Sequence, residues 1–299
     1  MDSSAQAVPA SPAEMTTRRR SARRSLNGQL TFGLILVGLV VLSALLAGSL
    51  APHDPIRQDL VGRLRPPNSS TRTGHHLLGT DQMGRDLTSR IIFGARISLV
   101  VAGSAVLLSA VVGVLSGLLS GYYRGRLDML VMGVVDLQLA FPFVLLAISI
   151  IAVVGTSLTT LIVVLALSGW VIYARTVRGI VLSLREKEFV EAERALGAND
   201  LRIMARHVLP NVIPPTLVIA SVEISKMILL EGTMSFLGMG VQPPTPSWGN
   251  MIGEGRDYVT MAWWIAFFPG LAMMLTVLGV NFFADGLRDH LDPQHRPGA

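Results

Sequence analysis

The chain has 299 residues, 51% of them hydrophobic and only 15% charged, with a mean hydropathy of +0.53 and a formal net charge of +5. That balance points to a multi-pass membrane protein. The absence of cysteine excludes disulfides, a thiolate metal site and a thiol nucleophile, and the way the positive charge is distributed argues against a nucleic-acid partner.

In chain order, residues 1–27 form a small, polar tail with Arg18, Arg19, Arg20, Arg23 and Arg24 just before the first apolar run. Leu30–Leu50 is long enough to cross a hydrocarbon core of roughly 30 Å at about 1.5 Å per residue. It is longer than a signal-peptide core and lacks a small-residue cleavage site before Pro52, so it reads as an uncleaved first span. The next segment, Ala51–Arg96, is polar and rich in Pro, Gly and His. Further spans are predicted at about Ser98–Gly121, Met129–Val154, Leu158–Tyr173, Val212–Phe236 and Ala262–Phe283. Six spans place both termini on one side. The arginines of the tail and of the 175–206 region favour the cytoplasm for that side, although the first outer loop is itself basic. The organisation expected is a tail over 1–27, a first span with an outer loop over 28–96, a membrane core over 97–290 and a C-terminal tail over 291–299.

Between the fourth and fifth spans lies Glu188–Pro210, EFVEAERALGANDLRIMARHVLP. Phe189, Ala192, Ala195 and Leu196 recur at helical spacing, with Glu188, Glu191, Glu193 and Arg194 on the wet side, which predicts a short amphipathic helix. Gly197 ends it. Asn199 or Asp200 caps a second helix that runs through Leu201–Leu209 to Pro210. Such an elbow either floats on lipid headgroups or docks a soluble partner at the Gly197 turn.

On the other side, HLLGTDQMGRDLTSRIIFGARISL over His76–Leu99 reads as a turn feeding an amphipathic helix, in which Asp81, Arg85 and Asp86 pair or cap. Together with Asp81, Arg85 and Asp86, Trp248 in the proline-rich Gly240–Trp248 segment marks a candidate outer surface for an external receptor, or else a membrane-interface anchor. Ionisable groups inside spans are functional suspects: Asp136 in the third, and Glu223, Lys226 and Glu231 in the fifth. Glu223 and Lys226, three apart, form an ion pair that either packs the bundle or its seam with a partner, or lines a path. Gly113, Gly117 and Gly121 make a stripe for close helix approach. There is no internal repeat, no metal-ligand cluster and no G-x-x-x-x-G-K-[ST] phosphate loop, since the only lysines are Lys187 and Lys226.

Glu191-Ala192, Gly197 and Leu209-Pro210 fall at the spacing of the EAA loop of ABC-importer permeases, with Glu193 and His207 departing from it. The His76–Leu99 block, Phe141-Pro142, Gly169-Trp170, Tyr173-Ala174-Arg175, Ser235-Phe236-Leu237-Gly238 and Gln242 through Gly249 resemble the dipeptide/oligopeptide/nickel permease family, and within it the second permease subunit of dipeptide-type importers. The resemblance implies an all-α integral membrane bundle of six transmembrane helices with the type I ABC-importer (MetI-like) permease fold. It also implies a second homologous permease, two cytoplasmic ABC ATPase subunits that carry ATP and Mg, and an extracytoplasmic substrate-binding protein, with no cofactor on this chain and no catalytic residue. The coupling role falls to Glu191, Ala192, Gly197, Ala198, Asn199, Asp200, Leu209 and Pro210, in a loop over about 182–210. The implied cargo is a di- or oligopeptide, with nickel or another small solute as the alternative. A proton-coupled secondary carrier relaying protons through Asp136, Glu223 and Glu231 is the rival from another class.

Overall fold

The computed structural model describes residues 12–291, with side chains from 28 to 289. The first eleven residues of the expected tail, and the C-terminal tail beyond Leu291, lie outside the described residues. Helix α1 (Pro12–Leu45) carries the first apolar run and is followed by the short α2 (Ala47–Leu50). The basic stretch is therefore the start of the same helix.

The long helices α3 (Leu87–Tyr123) and α6 (Leu158–Arg185) lie side by side, because α3 presents its glycine stripe to α6. A Cβ on Gly117 would stand 2.9 Å from the Val177 Cβ, and one on Gly121 would stand 2.9 Å from both the Arg178 carbonyl oxygen and the Val181 Cβ. No side chain fits there. The stripe thus serves packing within the subunit. At Gly169 of α6 the space is taken by Ser109 of α3, whose hydroxyl donates to the carbonyls of Ala105 (2.8 Å) and Ala166 (2.9 Å).

The expected third span is not one helix. Its two halves, α4 (Gly125–Leu139) and α5 (Phe143–Val154), are bent by 94° at Ala140–Pro142. Pro142 has no N–H to offer and disfavours helical backbone at Phe141. Gln138 holds the end of α4 on α6: its side chain donates to the Leu167 carbonyl and accepts from Trp170 Nε1 at 2.7 Å. The Gly169-Trp170 pair is thereby explained as a helix-packing device.

After the elbow, α9 (Leu209–Phe236) and α11 (Trp264–Leu291) complete the bundle. Met227 and Ile228 of α9 join Val101, Ala102 and Ala105 of α3 and Leu161, Val164 and Leu165 of α6 in the central core. Against α11, α1 packs through small residues: a Cβ on Gly33 would fall 2.6 Å from the Phe283 nitrogen. Among the described residues five helices are long and apolar enough to cross a membrane, and the bent pair makes up to six.

The loop expected on the outer side is folded, not slack. A two-stranded hairpin, β1 (Ser69–Thr71) and β2 (Gly74–His76), sits in it, and Asp86 caps α3 by accepting from the Ser89 N–H at 2.8 Å. Helix α10 (Trp248–Gly255), capped by Ser247, wedges against α3, α9 and α11. The four residues expected on a receptor-facing surface, Asp81, Arg85, Asp86 and Trp248, are buried instead. Arg85 Nε donates to Asp81 Oδ2 at 2.6 Å, and the guanidiniums of Arg85 and Arg90 both reach Glu254 of α10 at 2.8 Å. Arg90 also pairs with Asp81. Trp248 lies on Gly94 and donates to the Ile91 carbonyl at 3.0 Å, so it is not an interfacial anchor either. Charges this close neutralise one another inside the protein, and that is why they need no solvent.

Candidate functional site

The elbow consists of α7 (Glu188–Ala195), the Gly197 turn, and α8 (Asp200–Ile203), which passes through one wide π turn over Met204–Val208 into α9. Gly197 has φ +84°, the left-handed backbone that ends a helix at least cost in glycine. Of the two candidate caps, Asn199 takes the role, accepting from the Arg202 N–H at 2.9 Å. Asp200 instead accepts a hydrogen bond from the Tyr122 hydroxyl at 2.7 Å.

Two expectations are corrected here. Pro210 does not end the second helix. It falls in the first turn of α9, just past the π turn, where Leu209 N–H reaches back to the Met204 carbonyl, and a proline near such a turn removes no needed donor. The apolar stripe predicted for α7 is not buried either, although Glu188, Glu191 and Arg194 are exposed as expected. Val190, absent from the predicted apolar stripe, is the fully buried residue, whereas Phe189, Ala192, Ala195 and Leu196 face outward, Phe189 being 41% and Leu196 84% exposed. Leu201, across the turn, is 71% exposed. Apolar residues occupied both faces in the sequence, and periodicity alone could not say which one the bundle takes.

Val190 seats the elbow in a cluster with Leu118 and Tyr122 of α3, Val177, Val181 and Leu184 of α6, and Ile203, Met204, Val208 and Val212 beyond the turn. Polar contacts brace the same seat. Arg185 donates to the Tyr122 carbonyl, and Arg194 donates to the Tyr122 hydroxyl at 3.2 Å. That hydrogen bond, with the charges of Asp200 and Glu191, keeps the Arg194 guanidinium above its ordinary pKa. Glu193 and His207, the two departures from the EAA pattern, stand 3.3 Å apart across the elbow. One departure answers the other.

The intramembrane suspects do not converge on one site. Asp136 is exposed and paired with Arg175 at 2.5 Å, tying α4 to α6. Glu223 is buried, with the ammonium of the more exposed Lys226 at 3.2 Å from both its oxygens. Glu231 is fully buried and accepts from Ser98 at 2.9 Å and Ser235 at 2.7 Å. Ser235 also receives the Val241 N–H at 3.2 Å, which accounts for the Ser235–Gly238 motif as the knot that ends α9. Glu254 and Tyr122, both central to these networks, were not singled out from the sequence. Each draws its role from partners far along the chain, and no local spacing announces that.

A bundle of membrane-length helices, one of which grows out of a braced elbow with an apolar outer face, defines a multi-pass membrane protein. The chain belongs to the family of binding-protein-dependent transport system inner membrane components, whose model matches residues 113–297. It is 43% identical over 284 residues to a putative peptide transport system permease protein of Brucella suis, covering 95% of this chain and 93% of that one. The di/tripeptide transport system permease protein of Pseudomonas aeruginosa is 42% identical over 268 residues, 89% and 88% of the two chains. The nickel transport system permease protein of Escherichia coli is 42% identical over 260 residues, 87% and 92%. In fold, a chain of the MetNI methionine ABC transporter solved in inward-facing conformations matches with a TM-score of 0.54 at 20% identity, over 68% of this chain and 96% of that one. The protein is therefore a permease subunit of an ABC importer, itself non-catalytic, in a system that works with a binding protein and a separate ATPase.

Proposed function

We propose that this subunit passes di- or oligopeptides across the cytoplasmic membrane, with both termini in the cytoplasm, beside a second homologous permease. Two cytoplasmic ATPase subunits, holding ATP and Mg, would drive it, and an extracytoplasmic binding protein would deliver the cargo. The peptide relatives support this cargo, and the nickel relative keeps a metal complex as the alternative.

The observation that carries the coupling role is the outward apolar rim around Gly197, formed by Phe189, Leu196 and Leu201 on a seat that is buried and braced beneath it. An elbow meant only to rest on headgroups has no need of a rigid mount. Glu191, Ala192, Ala198, Asn199 and Asp200 surround the rim, and Leu209 and Pro210 lead from it into α9. A closing ATPase dimer grips this rim and tilts the spans against one another, a two-state switch of packed helices. The test is Leu196→Asp in the assembled transporter. Because Leu196 touches little of its own chain, the subunit should fold and insert normally yet fail to retain its ATPase in a pull-down. Normal retention would remove the docking role.

A further inference from the structure

At the end of the bundle opposite the elbow, three side chains meet that the transport reading leaves unused. His53 follows α2, His76 closes β2, and Asp86 caps α3. The sequence showed no ligand cluster because these residues are 23 and 10 positions apart, with none of the short spacings that betray a site on one helix. Folding brings one ligand atom from each to within 4.8 Å of the others.

The arrangement is more than a capped helix. His76 Nδ1 lies 2.8 Å from Asp86 Oδ1, and both side chains are buried. His53, whose side chain is 20% exposed, places Nδ1 at 3.7 Å from Asp86 Oδ2, too far for a hydrogen bond, and that buried nitrogen has no partner. Its main chain is nevertheless pinned: the His53 N–H donates to Ser89 Oγ at 3.0 Å, and that hydroxyl donates to Asp86 Oδ2 at 2.7 Å. The two imidazoles stack with centroids 4.8 Å apart. An orphaned imidazole nitrogen is thus held facing a carboxylate with a gap between them.

Ligand-to-metal distances of about 2.0–2.2 Å in a tetrahedron set donor atoms roughly 3.3–3.6 Å apart. His53 Nδ1, at 3.7 Å from Asp86 Oδ2, is close to that spacing, while His76 Nδ1 and Asp86 Oδ1, at 2.8 Å, have to part by about half an ångström to admit an ion. Behind His76, Nε2 sits 2.9 Å from Thr71 Oγ1 and 3.2 Å from Thr73 Oγ1. A hydroxyl that accepts the Nε2 proton leaves Nδ1 free to ligate, which is the outer-shell support that metal-bound histidines have. His53 also lines a cleft of about 510 Å³ together with Pro52, Asp54 and Phe93, which His76 and Asp86 do not reach.

We propose that His53, His76 and Asp86 form a binding site for a divalent first-row transition ion of the zinc class, since two imidazoles and one carboxylate suit such ions better than magnesium or calcium. The ion staples the segment after α2 and the hairpin to the start of α3. Binding displaces the proton shared by His76 and Asp86.

The test uses the full chain in nanodiscs, purified through a tag without histidine, stripped with chelator and dialysed against Zn²⁺. Mass spectrometry of the metal should find one zinc per chain, and Co²⁺ in its place should give the visible ligand-field bands of a tetrahedral site. His53→Ala should lower zinc affinity more than about tenfold, and Thr71→Val by about 10- to 100-fold as an outer-shell change. His75→Ala, whose ring pairs with Asn68 at 3.0 Å, should change nothing. The His53 imidazole makes no hydrogen bond in the fold, so its removal tests binding without breaking the loop. The site is refuted if the native chain holds no zinc and shows no Co²⁺ bands, or if His53→Ala and His75→Ala behave alike.

Discussion

Val190→Ala isolates the mount of the elbow from its outer rim. The side chain is fully buried among α3, α6 and the segment beyond the Gly197 turn, and the elbow lies outside the membrane-length helix α6, so water is the proper reference for its exposure. Trimming two methyl groups forfeits about 0.8 kcal/mol for each, or about 1.6 kcal/mol. The cavity left behind raises the total to about 2.5 kcal/mol if the neighbours do not close in. At about 1.4 kcal/mol per factor of ten, local opening of the elbow becomes roughly 10- to 60-fold more frequent. Hydrogen exchange followed by mass spectrometry in nanodiscs should show that acceleration in peptides covering 188–208. Peptides around Arg90, whose N–H bonds to the Asp86 carbonyl at the other end of α3, should exchange as before. Unchanged exchange in the elbow, or an equal rise at both ends, would refute the idea that the elbow is a locally seated unit.

Glu254 provides a pH test. Burial alone would raise its pKa, but the charge of Arg90, with hydrogen bonds from Arg90 and Gln82 and the charge of Arg85, outweighs burial and lowers it. A carboxylate depressed in the folded state contributes stability that is complete above its ordinary pKa, about 4.3, and lost as pH falls through the lower folded value. Thermal unfolding followed between pH 7 and 5 should therefore show no loss attributable to this group. Glu254→Gln, which leaves two buried guanidiniums sharing the single carboxylate of Asp81, should cost about 3 kcal/mol across that range. Gly117→Leu should block correct insertion, judged by protease resistance, while Gly103→Ala, with nothing within 4 Å of the new Cβ, should leave it intact. Lys226→Met leaves the buried Glu223 without its cation, and co-purification with the partner permease should fall while peptide preference is retained. Altered preference with intact assembly would place the pair on the path instead.

The helices were legible because long apolar runs leave few alternatives, and the glycine stripe because spacing of four has one meaning on a helix. Three features were not. The 94° bend before Phe143 depends on Pro142 acting where Gln138 anchors α4, and a hydropathy window runs straight across it. The burial of Val190 in place of the predicted stripe of α7 depends on which apolar residue finds a partner, and Val190 finds one because α3 and α6 converge there. The burial of Asp81 and Arg85 depends on Glu254, more than 160 positions away, and that of Asp86 on His76 and Ser89, so a polar run that looks solvated became the inside of a loop.

The wide π turn at Met204–Val208 joins α8 to α9 without a break, so residues from Asp200 to Phe236 form one continuous helical element of 37 residues. At about 1.5 Å per residue that is a lever some 55 Å long. Its handle is the Asn199 cap and its far tip is the Glu231–Ser235 knot under α10. A shove of a few ångströms at the handle has no slack loop in which to dissipate; besides the weak point at Pro214 and Pro215 within α9, the compliant joint is the π turn, immediately beside the pivot formed by Val208 and Val212. Stiffening that joint would alter how far the tip swings while leaving the grip itself untouched.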